Sequence, residues 1–322
     1  MSQSFAAEPV RIRVPATSAN LGPGFDSFGL ALGWYDEVTA RVTDFGLDVI
    51  VQGEGAGGLS LDETHLVVRA MRRGFAKYGA QPPGLAVDCV NRIPHGRGLG
   101  SSAAAIVAGV LAARALSRPG DTPGERFGGN ETDLTLAAEV EGHPDNVAAC
   151  LLGGFTVAWT ETGPKRTGRS TGRAAAVRLE PAAAIRPLAL VPNQELATEQ
   201  ARALLPASVP HRDAAHTAAR AALLVYALTA RPDLLLSATD DRLHQPYRAP
   251  AMPDSHALLT DLRDAGVPAV ISGAGPAVLT LAGSEQADLI TAMVTERGWS
   301  IHDCDLDRDG ARGVRLGRSR QD

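Results

Sequence analysis

The chain has 322 residues, of which 44% are hydrophobic, so it is long and apolar enough to form two domains of ordinary size. With 31 basic and 36 acidic residues its formal net charge is -5, which gives no reason to expect nucleic acid or an anionic membrane as a partner. The three cysteines are isolated in the sequence, which argues against a disulfide framework or a zinc site.

The first half of the chain predicts a sheet with helices packed on it. Alternating apolar residues predict half-buried strands at residues 10–14, 47–51, 85–89 and 155–159. Helical spacing predicts a helix over Leu66–Tyr78. The longest apolar run, residues 103–113, ends at Arg114 and is well short of the roughly 18 residues that a membrane span needs. Because no secretory signal pattern is present, we expect a cytoplasmic protein without a membrane partner.

Residues 162–176 differ in composition from the segments on either side. They are rich in glycine, basic and small residues without an apolar period, which predicts a linker and a division into residues 1–165 and 166–322. The second half predicts short strands and helices of a small α+β sandwich, with strands at residues 187–191, 269–272, 277–281 and 299–304 and helices at 214–230, 256–265 and 284–297. From Asp305 onward we expect a charged, frayed tail.

The strongest functional signal is the segment PHGRGLGSSAA at residues 94–104. It follows a predicted strand and opens directly onto an Ala-, Val- and Leu-rich helix that runs to about Leu116. Glycines let other groups approach the backbone closely, and the first amides of a helix are unpaired at the positive end of its dipole. With the hydroxyls of Ser101 and Ser102, this pattern is typical of a polyphosphate site rather than of a simple glycine turn with a serine cap.

This segment resembles the second motif of the GHMP kinases, a superfamily that includes galactokinase, homoserine kinase, mevalonate kinase and phosphomevalonate kinase. Residues 14–26, VPATSANLGPGFD, are similar to its first motif, and residues 272–277, SGAGPA, to its third. The resemblance spans nearly the whole chain. It implies an α+β, two-domain GHMP kinase fold, with a ribosomal-protein-S5-like, ATP-binding domain over residues 1–165 and a ferredoxin-like domain over residues 166–322.

Three further segments resemble the homoserine kinases in particular: residues 141–148 (EGHPDNVA), 198–202 (TEQAR) and 244–248 (HQPYR). Gln245 departs from the glutamate that is usual before that proline, and Ala149 stands where a proline is common. The resemblance implies phosphorylation of L-homoserine to O-phospho-L-homoserine in threonine biosynthesis, with ATP and Mg²⁺ as cofactors.

The resemblance assigns ATP binding to residues of the glycine-rich segment. These are Pro94, Gly96, Arg97, Gly98, Leu99, Gly100, Ser101, Ser102 and Ala103. Magnesium prefers hard oxygen ligands, so Ser102 or Ser101 together with Glu141 is the predicted pair, with Glu139 as a rival for Glu141.

L-Homoserine carries an ammonium, a carboxylate and a primary hydroxyl group. A carboxylate suits the ammonium and a guanidinium fork suits the carboxylate, which predicts Asp26 for the first and Arg202 and Arg248 for the second. The resemblance implies the same roles and adds Asn20 and Thr198 as hydrogen-bonding residues.

In-line transfer of the γ-phosphoryl group depends mainly on positioning and charge neutralisation. The predicted catalytic residues are Asn146, which would hold the attacking hydroxyl, and Asp145, which is at most a helper that accepts its proton. His143 is interpreted as structural.

The sequence leaves three alternatives open. Another GHMP kinase, of mevalonate or shikimate type, would share the motifs but lack the arginine pair for an amino-acid carboxylate. A non-catalytic ATP-dependent sensor would keep the fold without the activity. A decarboxylase of the same fold would need a different set of acidic residues. The oligomeric state is open as well, with a homodimer as one alternative.

Overall fold

A computed structural model describes residues 5–117, 130–161, 172–281 and 284–317 of the chain. The strands are β1 (Val10–Ala19), β2 (Phe28–Thr43), β3 (Gly46–Gly53), β4 (Gly84–Asn91), β5 (Phe155–Glu161), β6 (Arg173–Leu179), β7 (Leu188–Val191), β8 (Ala269–Ile271), β9 (Val278–Thr280), β10 (Ser300–Asp303) and β11 (Arg312–Arg315). The helices are α1 (Leu66–Tyr78), α2 (Ser101–Ser117), α3 (Glu131–Glu141), α4 (Asp145–Leu152), α5 (Thr198–Ala203), α6 (His211–Thr229), α7 (Leu235–Ala238), α8 (Gln245–Arg248), α9 (Pro253–Asp264) and α10 (Ala287–Thr295).

The first sheet has the order β11-β1-β2-β4-β3, with β5 paired to β2 and β6 paired to β5. Its pairs are antiparallel except for β3 and β4, which are parallel. Strand β2 is long enough to pair with three neighbours, since residues 28–30 pair with β5 while residues 37–43 pair with β4. Strand β1 shifts register between Pro15 and Ala16, where the first motif begins.

Helix α2 is the central helix of the larger core. Its residues are apolar on every face and almost all are buried, as expected of a helix covered on all sides. Small residues allow close packing: Gly109 lies against the backbone of Val67 in α1, where an added Cβ would collide. This contact holds the middle of α2 closely against α1, and the first turn of α2 directly follows the glycine-rich segment.

The second sheet is antiparallel, with the order β10-β7-β9-β8. Helices α9 and α10 pack with it through a separate apolar core that includes Leu258, Leu262, Ile271, Val278 and Ile290. None of the helices in the described ranges is both long and apolar enough to cross a membrane.

Two strands join the first sheet from the half of the chain expected to form the second domain. The predicted boundary at residues 165/166 lies outside the described residues, and the division stays a prediction. Strand β6, however, pairs along its whole length with β5, and β11 pairs with β1. Both strands therefore belong to the first sheet.

The expectation of a frayed tail from Asp305 onward is wrong for the described residues. Strand β11 forms an edge of the first sheet, and Asp307 accepts hydrogen bonds from Tyr35 Oη at 2.8 Å and from the backbone N–H of Asp309 at 3.0 Å. The segment was not recognisable as a strand because its inward positions are Gly313 and Arg315 rather than apolar residues.

Candidate active site

The three sequence motifs meet around one cavity of about 160 Å³. Ser272 Oγ of the third motif donates to Gly98 O of the second at 2.7 Å and contacts Ser18 Oγ of the first at 2.9 Å. The backbone N–H of Thr17 donates to Leu99 O at 3.0 Å. The cavity is lined by Ala19, Asn20, Gly96, Gly98, Gly100, Ser101, Ser102, Glu141, His143, Asp145, Asn146, Leu196, Ala197, Thr198, Arg202, Arg248, Gly273 and Ala274.

The glycines of the glycine-rich segment are required for a reason that the sequence did not suggest. Gly98 and Gly100 have φ angles of 75° and 71°, in the left-handed region that favours glycine. An added Cβ at Gly98 would collide with the carbonyl oxygen of Ser272, and one at Gly100 with the hydroxyl of Thr17. The glycines therefore make room first for the neighbouring motifs, and that contact shapes the loop.

The residues predicted to bind ATP fall into two groups. Those that line the cavity are Gly96, Gly98, Gly100, Ser101 and Ser102. The lining does not include Pro94, Arg97, Leu99 or Ala103.

Leu99 and Ala103 are buried in the core. The Arg97 guanidinium donates to Pro192 O at 3.0 Å and Asn193 O at 2.7 Å, and it forms an ion pair with Glu195 at 2.9 Å. The Arg97 side chain thus holds the segment after β7 against the loop.

A second cavity, of about 290 Å³, adjoins the first at the start of α2, where both are lined by Ser101 and Ser102. Its walls are largely apolar and include Leu59, Leu66 and Val67. His65 also lines it, and the Nδ1 atom of this buried side chain has no hydrogen-bond partner among the described residues. Sequence reasoning identified none of these residues.

Ser102 and Glu141 are paired, with Ser102 Oγ donating to Glu141 Oε1 at 2.6 Å. Burial raises the pKa of Glu141, and the hydrogen bond from Ser102 acts in the opposite direction. The rival Glu139 is exposed and lines separate cavities beside α1 and α3. Of the two glutamates, only Glu141 lies beside the start of α2.

Asn146 lies in the first turn of α4 and lines the cavity. Its Oδ1 accepts a hydrogen bond from Thr17 Oγ1 at 2.8 Å, which fixes the amide orientation and leaves its NH₂ group as a donor. Thr17 is fully buried and was not among the predicted residues. Its place in the first motif, next to Ser18, was the only signal.

Asp145 is buried at the start of the same helix. Its Oδ1 accepts the backbone N–H of Asn146 at 2.7 Å and lies 2.5 Å from His143 Nδ1. Burial disfavours the charged form of His143, but Asp145 and then Glu141 outweigh it, so that the pKa of His143 is raised. His143, which the sequence analysis interpreted as structural, also lines the cavity beside the predicted catalytic residues.

Asp26 and Arg202 form a two-pronged ion pair, with Arg202 Nη2 2.6 Å from Oδ1 and Nη1 3.1 Å from Oδ2. Both side chains are more than one-third exposed. The hydrogen bonds that Arg202 donates to Asp26 raise the pKa of Arg202 against the effect of burial. Thr198 begins α5, and it lines the cavity on the same short helix as Arg202.

Arg248 differs from Arg202 in both burial and pairing. Its side chain is only 2% exposed, and no carboxylate among the described residues forms an ion pair with it. Its Nη1 donates to Gly273 O at 3.2 Å and contacts His244 Nδ1 at 3.3 Å, while Nε has no partner in the described part of the chain. Burial, followed by the nearby Arg202 cation, lowers the pKa of Arg248 to about 10. A buried cation with free donors at a cavity wall is suited to an anion.

Asn20 uses its amide to shape the first motif. Its Nδ2 donates to Gly273 O at 2.8 Å, and its Oδ1 accepts the backbone N–H of Asp26 at 2.9 Å. Asn20, Leu21 and Asp26 all have positive φ angles, which L-residues rarely adopt. The Asn20 amide thus stabilises the turn that carries Asp26 and also lines the cavity.

Comparisons with known proteins agree with this geometry. Residues 65–154 match the GHMP kinases N terminal domain, and residues 224–298 match the GHMP kinases C terminal model. The crystal structure of homoserine kinase from Cytophaga hutchinsonii superposes with a TM-score of 0.80 at 27% identity, over 95% of this chain and 98% of that chain.

Two curated relatives show to which family within the GHMP kinases the chain belongs. Homoserine kinase of Streptomyces avermitilis is 57% identical over 311 residues, covering 96% of each chain. Homoserine kinase of Streptomyces coelicolor is 56% identical over 308 residues, covering 96% of this chain and 95% of the relative. The chain belongs to the homoserine kinases, a family within the GHMP kinases.

Proposed function

We propose that the chain transfers the γ-phosphoryl group of ATP to the hydroxyl group of L-homoserine at the cavity where the three motifs meet. The observation that carries the proposal is the combination of two features in one small cavity. The start of α2, with Ser101 and Ser102, is suited to phosphate, and Arg202 and Arg248 line the same cavity. Asp26 is not in the cavity lining but is bound to Arg202, so both charges that an amino acid needs lie at this end of the cavity.

The nucleotide would place its phosphates over the first turn of α2. There the backbone amides and the helix dipole favour negative charge, and the hydroxyls of Ser101 and Ser102 add hydrogen-bond donors. The apolar cavity that shares these two serines is the place for the nucleotide base, with His65 Nδ1 as a polar group able to bond it.

The oxygens of Ser102 and Glu141 fit a magnesium ion that is bound jointly with the phosphates. No cluster of three or more acidic, histidine or cysteine side chains suited to a metal exists within the described residues. This agrees with magnesium, which is usually held by one or two carboxylates together with substrate phosphates and water. The ion would neutralise negative charge on the phosphoryl group during its transfer.

Asn146 would orient the attacking hydroxyl group. Its Oδ1 is fixed by Thr17, so its amide N–H groups are free to hold the hydroxyl oxygen next to the phosphate-binding turn. Asp145 is committed to the backbone of Asn146 and to His143, which suits a residue that holds the helix start and assists proton removal.

Homoserine would break the ion pair between Asp26 and Arg202 and form an ion pair with each of the two residues. The substrate ammonium would replace Arg202 at Asp26, and the substrate carboxylate would replace Asp26 at Arg202 with a second contact from Arg248. Because the ion pair is partly exposed, opening it costs little, on the order of 1 kcal/mol or less. A ligand with only one of the two charges would leave either Asp26 or Arg202 unpaired.

A coupled assay for ADP tests the proposal. ATP and magnesium are supplied with homoserine, serine, threonine, shikimate or mevalonate in turn, and the phosphorylated product is identified by mass spectrometry. We expect ADP formation that requires homoserine, with serine about 10- to 200-fold less efficient because it lacks one methylene. ADP release without any alcohol, or a preference for shikimate or mevalonate, would refute it.

Two half-substrates test the charge exchange separately. 3-Amino-1-propanol keeps the ammonium and hydroxyl, and 4-hydroxybutyrate keeps the carboxylate and hydroxyl. Each should be about 10- to 100-fold less efficient than homoserine, since each lacks one set of hydrogen bonds between charged groups, which contributes about 1.5–3 kcal/mol. Efficient turnover of either compound would contradict the exchange.

A further inference from the structure

His244 lies outside the cavity but directly behind it. The residue precedes α8, is 0% exposed, and its ring stacks on Phe25 with 5.0 Å between ring centroids. Phe25 in turn lies beneath Arg248, whose guanidinium carbon is 5.2 Å from the ring centre. His244 therefore contacts both the first motif and the arginine that is predicted to hold the substrate carboxylate.

The two ring nitrogens of His244 have partners that determine its protonation. Nε2 lies 2.8 Å from Gly22 O, which can only accept, so Nε2 must carry a hydrogen. Nδ1 lies 3.3 Å from Arg248 Nη1, which can only donate, so Nδ1 must be an acceptor. Only the neutral Nε2–H tautomer satisfies both contacts.

The surroundings of His244 agree with a neutral ring. Burial lowers the pKa of His244, and Asp241, 3.5 Å from Nε2, acts in the opposite direction. The Asp241 carboxylate is occupied in capping α8, because it accepts the backbone N–H groups of Leu243, His244 and Gln245. Asp241 thus fixes the backbone from which both His244 and Arg248 extend.

We infer that His244 is a positioning residue for homoserine recognition, an inference that rests on the proposed function. Its Nδ1 and Gly273 O occupy Nη1 of Arg248. Nε is buried without a partner and Nη2 makes no hydrogen bond within the described residues, so the Nε–Nη2 edge is the part of the guanidinium that is left to bind a substrate carboxylate.

The His244 ring also connects this edge of Arg248 to Asp26, the residue predicted to bind the substrate ammonium. Gly22 belongs to the turn that ends at Asp26, so the bond from Nε2 to Gly22 O connects the turn to Arg248. His244 would thereby set the separation between the carboxylate-binding edge and the ammonium-binding carboxylate. Such a role affects homoserine binding and leaves nucleotide binding unchanged.

Three substitutions separate the two contacts of the ring. In His244→Asn the side-chain oxygen of asparagine replaces the Nδ1 acceptor. In His244→Gln the side-chain NH₂ group of glutamine replaces the Nε2–H donor. His244→Leu removes both contacts at similar volume. We expect KM for homoserine to rise about tenfold or more in His244→Leu, and by a smaller factor of about three- to tenfold in His244→Asn and His244→Gln, because each of these two keeps one of the two contacts. KM for ATP should stay within about twofold in all three.

His302→Asn is the matched control, since His302 stacks on Trp34 away from the cavity and should leave both KM values unchanged. The inference is overturned if His244→Gln matches the unmodified protein, if His244→Asn is as impaired as His244→Leu, or if KM for ATP rises in parallel with that for homoserine. If the unmodified protein forms no ADP with homoserine, the proposed function fails instead.

A spectroscopic measurement does not depend on any variant being folded. Long-range ¹H–¹⁵N correlation spectra of the full chain distinguish the two neutral tautomers and the charged ring of a histidine. We expect His244 to be the neutral Nε2–H tautomer at pH 7. A charged ring or a proton on Nδ1 would overturn the inference.

Discussion

Two walls of the candidate site are built in different ways. The phosphate wall, residues 96–102 with Glu141, consists mainly of backbone held in place by contacts between the motifs. The substrate wall, Asp26, Arg202 and Arg248, consists of charged side chains contributed by distant parts of the chain. Changes in the phosphate wall should therefore act on kcat, and changes in the substrate wall on KM for homoserine.

The largest expected effect belongs to Glu141→Gln in the phosphate wall. Glutamine keeps an acceptor for Ser102 but removes the charge available to magnesium. We expect kcat to fall by about 100- to 1,000-fold, the range seen when one electrostatic contact to a transition state is lost. KM for homoserine should change less than about twofold.

Glu139→Gln is the control for this prediction, because Glu139 is exposed and lies outside the cavity. Steady-state kinetics as a function of magnesium concentration provide the measurement. A loss of activity in Glu139→Gln with normal turnover in Glu141→Gln would reverse the assignment.

The next largest effect is expected for Arg248→Met in the substrate wall. Loss of the buried guanidinium should raise KM for homoserine about 100-fold, which corresponds to about 3 kcal/mol. Since Arg248 is buried and forms no ion pair within the described residues, its removal should not destabilise the fold. Thermal unfolding and kinetics test both parts, and a lowered Tm with unchanged KM would contradict them.

Arg202→Lys should have a smaller effect than Arg248→Met. Lysine keeps the charge but cannot form the two-pronged contact, and the site is partly exposed. We expect KM for homoserine to rise about tenfold. Arg212→Lys, at a highly exposed position in α6, should change nothing. An unchanged KM in Arg202→Lys would remove Arg202 from the substrate wall.

The difference between the two walls explains what could be predicted from the sequence. A loop that binds through its backbone needs glycines and a helix start next to each other in the chain, so residues 94–104 were recognisable. The helix over Leu66–Tyr78 was predicted with its correct bounds because apolar spacing is a local property. Family resemblance, rather than local pattern, connected Asp26, Arg202 and Arg248.

Contacts between distant residues were not predictable. The hydrogen bond from Thr17 to Asn146 spans 129 positions, and that from His244 to Gly22 spans 222. Gln245 was given no role, yet its Oε1 accepts the backbone N–H of Ile271 at 2.7 Å and ties α8 to β8. A glutamine retains this acceptor without the charge of the usual glutamate. Each case depends on tertiary packing that no local pattern encodes.

The smallest expected effect is that of Asp145→Asn, at the edge of the phosphate wall. Asp145 Oδ1 accepts the backbone N–H of Asn146, and an asparagine oxygen can keep that bond and the start of α4. If Asp145 positions rather than acts as an essential base, kcat should fall less than tenfold, because a loose transition state demands little of the nucleophile. The pKa of His143 should fall, since Asp145 is the main group that raises it. Turnover measurements with an NMR titration of His143 check both outcomes, and a loss of about 1,000-fold in a folded variant would instead identify Asp145 as the base.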